Sequence, residues 1–129
     1  MLPESRKDLA ELGLNIRREV LGDQYVDKAM NSITDFNRPL QEILNEYCWG
    51  GCWGRDGLTR RERSMIVLGI LTALGKPHEI ATHTRGALNN GLTAEQIAEV
   101  FLQAAVYCGV PAAVDGFRAA TPVITERNG

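Results

Sequence analysis

An all-α fold is predicted by three observations on the 129-residue chain. Apolar residues recur at spacings of three and four, β-branched runs with period two are scarce, and capping residues and glycines punctuate the periodic stretches. Residues 3–21 place Leu9, Leu12, Ile16 and Val20 on one stripe with a charged outer face, and stop at Gly22. Residues 23–47 space Val26, Met30, Ile33, Phe36, Leu40, Ile43 and Leu44 as two helices, with Pro39 either starting the second or bending it. The stretch Trp49-Gly50-Gly51-Cys52-Trp53-Gly54-Arg55-Asp56-Gly57 has four glycines in nine positions, which fits an irregular loop or a frayed helix end.

Beyond it, Thr59 and Glu62 form a capping-box pattern. Residues 65–74 are apolar on nearly every side and read as a buried core helix ending at Gly75. Pro77 suits the first turn of the next helix, and Asn89-Asn90-Gly91 closes it. Thr93 with Gln96 repeats the capping box, opening a helix through Ile97, Val100, Phe101, Ala104, Ala105 and Cys108, where Cys108 reads as a small core residue. A last helix is expected from Pro111 past Phe117 toward Ile124. Two successive helices that are apolar all round exceed what one small domain can wrap, so part of their surface is expected to be a subunit interface.

At 44% hydrophobic and 23% charged, the composition fits one globular domain spanning 1–129. The net charge of -2 comes from interspersed residues and gives no electrostatic footprint for nucleic acid or an anionic membrane. Met1-Leu2-Pro3-Glu4-Ser5-Arg6 lacks an apolar export core, and the longest apolar runs are shorter than a membrane span, so a cytoplasmic location is expected. In that compartment Cys48, Cys52 and Cys108, an odd number, are expected to be reduced thiols.

Candidate chemistry centres on Glu79 and His83, which stand one turn apart on a helix. A carboxylate there favours the charged imidazolium and orients the ring, as a general acid or oxyanion stabiliser requires. The competing reading is a surface pair worth a few tenths of a kcal/mol. Arg85 lies about 200° around the helix from His83, too far round for a simple dyad. Cys48 and Cys52 have three residues between them where the redox motif has two, and they define no metal site with only two distant histidines. Trp49 and Trp53 can wall a ligand or plug a core, and Arg55, Arg60, Arg61 and Arg63 are candidate carboxylate clamps or solvated charges.

Several segments together resemble the carboxymuconolactone decarboxylase family, within the alkylhydroperoxidase D-like fold. They are Arg17-Arg18-Glu19-Val20-Leu21-Gly22, Asp35-Phe36-Asn37, Trp49-Gly50 with Trp53, Arg55 with Gly57-Leu58, and Arg61 with Arg63-Ser64. The resemblance continues through Glu79 with His83, Arg85, Asn89-Asn90-Gly91, and Tyr107-Cys108-Gly109-Val110-Pro111-Ala112-Ala113. It implies a helical bundle of about six to seven helices, assembled as a homo-oligomer, a trimer or hexamer. The redox branch of the fold carries a Cys-x-x-Cys pair where this chain has Lys76 and Glu79, so the resemblance favours the lactone-decarboxylase branch.

That branch implies cofactor-independent loss of carbon dioxide from 4-carboxymuconolactone, giving the enol-lactone of 3-oxoadipate in protocatechuate catabolism. His83 would be the oxyanion stabiliser or proton donor and Glu79 its orienting partner. Arg55, Arg61, Arg63 or Arg85 would hold a substrate carboxylate, and Trp49 and Trp53 would dry the pocket. The loop departs from the branch's pattern at Gly51, Cys52 and Asp56, which leaves a related carboxylated lactone or ketoacid as an alternative substrate. Two other classes compete: a thiol oxidoreductase using Cys48 and Cys52, and a non-catalytic oligomeric protein that binds a small acid.

Overall fold

The capping residues stand where the helices begin and end in the structure, a computed structural model that describes residues 5–128. Ser5 caps α1 (Arg6–Leu21) by accepting from the Asp8 backbone, and Gly22 ends it at φ +93, a conformation that side chains resist. The same glycine opens α2 (Asp23–Asn31). Thr34 and Asn37 then bond each other across a tight turn before α3 (Arg38–Ile43). Pro39 lies in the first turn of α3, so it starts that helix. After Ile43 the winding loosens into a π-helix (Leu44–Gly50). The glycine-rich stretch is thus a helix end: Trp49 and Gly50 finish the π-helix, and residues 51–54 form turns.

Four further helices follow: α4 (Arg60–Leu74), α5 (Pro77–Asn89), α6 (Ala94–Cys108) and α7 (Val110–Asn128). Every regular element among the described residues is a helix. The capping box at Thr93 and Gln96 is formed in both directions. The last helix starts at Val110, one residue before the expected Pro111, and accommodates Pro122 within it. The start of the first predicted helix, residues 3–4, lies outside the described residues.

The chain divides into two compact units, Met1–Thr59 and Arg60–Gly129. In the first, Ile16, Val20, Leu21, Val26 and Trp49 form the buried cluster. In the second, Leu68, Ile80, Ala87, Leu92, Ile97, Phe101 and Ala120 do so. Gly116 leaves room for the Phe101 ring, which a Cβ there would meet at 3.0 Å, and Phe101 packs edge-on to Phe117 at 5.2 Å.

Two expectations about burial are corrected. The helix read as core, α4, buries Leu68 together with the polar Ser64 and Thr72, while Ile66 and Ile70 stand about half exposed and Leu74 more so. Polar residues can occupy the inner face because their hydroxyls are satisfied locally, as Thr72 is by donating to the Leu68 carbonyl at 2.7 Å. Cys108 is exposed rather than core, on the same side of α6 as the uncovered Tyr107. Between α4 and α6 runs an open groove of about 500 Å³ lined by Met65, Ile66, Ile70, Val100, Tyr107 and Cys108, among others.

Candidate active site on helix α5

Helix α5 is held at both ends by local chemistry. Pro77 occupies its first turn, and Gly91, at φ +95, lets the chain leave. Asn90, at its C-terminal cap, donates to Ser64 Oγ at 2.9 Å and to the Arg60 carbonyl at 3.4 Å, which ties the end of α5 to the first turn of α4. Ile80, Thr84 and Ala87 are buried, and the Thr84 hydroxyl bonds back to the Ile80 carbonyl at 2.7 Å. Glu79 and His83 are carried on this fixed helix one turn apart, the former exposed and the latter partly buried.

The electrostatics of His83 run opposite to the sequence expectation. Glu79 does favour the imidazolium, but the withdrawal of the ring from water is the larger effect, and it lowers the His83 pKa from 6.5 to about 4. The ring is therefore neutral at pH 7. A neutral imidazole still donates one N–H and accepts at the other nitrogen, so it can hydrogen-bond to a developing oxyanion without bringing a full charge into the ground state.

A stability consequence follows from this shift. Because the folded value lies below the unfolded one, the unfolded chain takes up the proton first, and stability falls as the pH drops from 6.5 toward 4. Urea denaturation at pH 7 and pH 4.5 is expected to show the wild type losing roughly 2 kcal/mol more than His83→Gln over that interval. Parallel losses in the two proteins would contradict it.

The candidate arginines separate. Arg61 donates to the Gly91 carbonyl and, at 3.2 Å, to Gln96 Oε1, so its guanidinium joins α4 to the turn before α6 and to the capping box that opens α6. Arg63 is partly buried on α4, with its Nε withdrawn from solvent. Arg85 lines a separate polar cleft of about 290 Å³ with Val123, Glu126 and Arg127, in keeping with its position on the far side of α5 from His83.

In the first unit, Trp49 and Trp53 are brought together, their ring centroids 4.8 Å apart and their planes tilted by 30°. Trp49 is buried and belongs to the cluster around Val20 and Val26, while Arg55 is exposed beyond the turns. Cys48 and Cys52 are not bonded to each other. Burial pushes the Cys48 thiol up, Cys52 adds to that, and only Arg17 opposes it, so Cys48 is not an activated thiolate. No group of three or more His, Cys, Asp or Glu among the described residues could hold a metal ion.

Arg17 escaped the reading of the residues, although it lies within a segment that carries the resemblance. It is 4% exposed, and Nη1 donates to Gln41 Oε1 at 2.9 Å and to Asn45 Oδ1 at 3.1 Å. The signal lay in its spacing: four residues after Gly13 and three before Val20, it sits on the inward stripe of α1.

Comparison with known proteins gives a consistent result. A sequence profile described as the carboxymuconolactone decarboxylase family matches residues 38–122. A nitrosuccinic acid decarboxylase from Metarhizium robertsii is 43% identical over 112 residues, which cover 87% of this chain and 78% of that protein. A 4-carboxymuconolactone decarboxylase from Acinetobacter baylyi is 38% identical over 100 residues, 78% of this chain and 75% of the relative. A protein of the same name from Pseudomonas putida is 36% identical over 44 residues, which cover 34% of this chain and 92% of that sequence.

Proposed function

The chain belongs to the carboxymuconolactone decarboxylase family, and from that premise we propose that it is a cofactor-independent carboxy-lyase acting on 4-carboxymuconolactone or a closely related carboxylated lactone. The observation that carries this reading is His83, partly buried, neutral, and one turn from a carboxylate on a helix pinned at its end by Asn90. Loss of carbon dioxide breaks a carbon–carboxylate bond and sends its electron pair through the ring alkene onto the lactone carbonyl oxygen. As the carbonyl re-forms, the ring carbon α to it takes up a proton and the double bond stays at the carbon that lost the carboxylate, giving the enol-lactone of 3-oxoadipate.

The charge to be stabilised is on oxygen and exists only along the reaction path, so a fixed neutral N–H meets it without first being neutralised by the substrate carboxylate. We assign this donation to His83 and the orientation of the ring to Glu79. We assign the substrate carboxylate to one of Arg55, Arg61, Arg63 and Arg85. Trp49 and Trp53 are the candidate aromatic contacts for the ring. The proposal extends to a cytoplasmic homo-oligomer, a trimer or hexamer, and the uncovered apolar side chains of α4 and α6 support such a contact.

The similarity to a nitrosuccinic acid decarboxylase favours one second reading. Nitrosuccinate also carries two carboxyl groups and an acceptor next to the breaking bond, and its electron pair flows onto the nitro oxygens as a nitronate. Both substrates ask for an oxygen-anion donor and a carboxylate clamp, so the site on α5 suits either. Purified protein offered each acid separately, with carbon dioxide release followed by manometry or NMR, is expected to turn over the lactone faster. Preference for nitrosuccinate would move the substrate to the nitro acid, and inertness of folded protein toward both would overturn the carboxy-lyase assignment to these acids.

A further inference from the structure

The guanidinium of Arg17 is buried among neutral partners: Gln41 Oε1, Asn45 Oδ1 and, at 4.0 Å, the sulfur of Met30. Desolvation pulls its pKa below that of an ordinary arginine, against the opposing influence first of Tyr25 and then of Cys48. A buried cation is a costly way to join helices, and apolar packing of the same volume would do it more cheaply. What the guanidinium supplies instead is geometry. Gln41 and Asn45 lie four residues apart, on either side of the point where α3 loosens into the π-helix, and one nitrogen of Arg17 holds both.

The looser winding has a direct effect on the residues that follow. The backbone bonds span five residues, Gly51 N–H to the Glu46 carbonyl at 2.8 Å and Trp53 N–H to the Cys48 carbonyl at 3.0 Å. Each such turn accommodates one residue more than an α-turn, which rotates everything downstream about the helix axis; π-turns are frequent at functional sites for this reason. Trp49 stands one turn beyond Asn45 and Trp53 one further, and their stacking depends on where the π-turn begins. Leu9 and Gly13 on α1 approach the same element backbone to backbone, for a Cβ on Gly50 would fall 2.4 Å from the Leu9 carbonyl oxygen. The π-helix is therefore seated tightly, and Arg17 fixes its register.

We infer that Arg17 is a positioning residue, which through Gln41 and Asn45 sets the π-helix and so aims the stacked Trp49 and Trp53. That the pair then contacts substrate rests on the proposed function; the aiming of the pair does not.

The two readings separate experimentally. Trp49 and Trp53 are the chain's two tryptophans, so the exciton couplet of stacked indoles in circular dichroism reports on this pair alone. Arg17→Met keeps the stem and removes the fork, and it is expected to lose most of the couplet while retaining a cooperative melt. Arg17→Lys, which restores charge and one donor, is expected to recover part of it. With 4-carboxymuconolactone, Arg17→Met is expected to raise KM roughly tenfold with kcat little changed.

An unaltered couplet in a folded Arg17→Met protein overturns the inference. Should that variant not fold, Gln41→Leu is the substitute, expected to weaken the couplet while keeping a cooperative melt at a lowered temperature, and no weakening of the couplet there overturns it equally. A lost couplet with KM unchanged in both Arg17→Met and Trp49→Phe supports the positioning role and removes the tryptophans from the substrate contact.

Discussion

Replacing His83 with alanine is expected to lower kcat for decarboxylation by about 10²–10³-fold, the usual cost of deleting one preorganised oxyanion donor. KM is expected to move much less, because the interaction is made chiefly in the transition state. The measurement is the loss of lactone absorbance under saturating substrate. His83→Gln adds a discriminating arm. Its amide N–H can donate a hydrogen bond but cannot transfer a proton, so it should retain part of the rate if the neutral ring acts by donation alone. If the imidazole must also deliver the proton to carbon, glutamine should be as slow as alanine. The pH profile carries the same information with a definite sign: the active form is the neutral ring, so activity governed by His83 should persist as the pH falls below 6.5 and be lost only as the pH approaches about 4. A rate unchanged in His83→Ala would remove this residue from the mechanism.

The sign of the His83 shift shows where sequence reasoning stops. Spacing places Glu79 one turn from His83, and the attraction of the carboxylate for an imidazolium can be read from that alone. Desolvation cannot, because it depends on which residues cover the ring in three dimensions, and here it is the larger effect. The helix boundaries were legible for the opposite reason. Gly22, Gly91, Pro77 and the Thr93 and Gln96 pair act within a few residues of themselves, and each does in the structure what its chemistry dictates.

Apolar composition on all sides of α4 does not say which side is covered. Ser64 and Thr72 took the inside once their hydroxyls had partners in Asn90 and Leu68, leaving Ile66 and Ile70 outside. The π-helix has no signal in the pattern Leu44-Asn45-Glu46-Tyr47-Cys48-Trp49-Gly50, and the residues that touch it, Arg17 and Gly13, come from an element more than twenty residues away. Tertiary contacts override local preference where two backbones meet closely.

That close meeting yields the largest expected effect on stability. Gly13 lies in the interior of α1, where alanine should be preferred by about 1 kcal/mol on helix propensity. The environment reverses the sign. A Cβ built on Gly13 would lie 1.7 Å from the Asn45 carbonyl oxygen, 2.7 Å from the Gly50 nitrogen and 2.8 Å from the Asn45 carbonyl carbon, all of them backbone atoms. No side-chain rotation relieves this overlap; α1 and the π-helix must move apart, which also breaks the Arg17 bonds to Gln41 and Asn45 and loosens the packing of Ile16 and Val20. Gly13→Ala is therefore expected to cost about 3 kcal/mol or more in urea denaturation. Gly69, in the interior of α4, has nothing within 4 Å of the equivalent position, so Gly69→Ala serves as the control and is expected to gain up to about 1 kcal/mol. The contrast isolates contact from propensity, because both substitutions make the same chemical change in the middle of a helix. Equal stabilisation of the two variants would mean that α1 does not press against the π-helix at Gly13, and the register that Arg17 holds would lose its foundation.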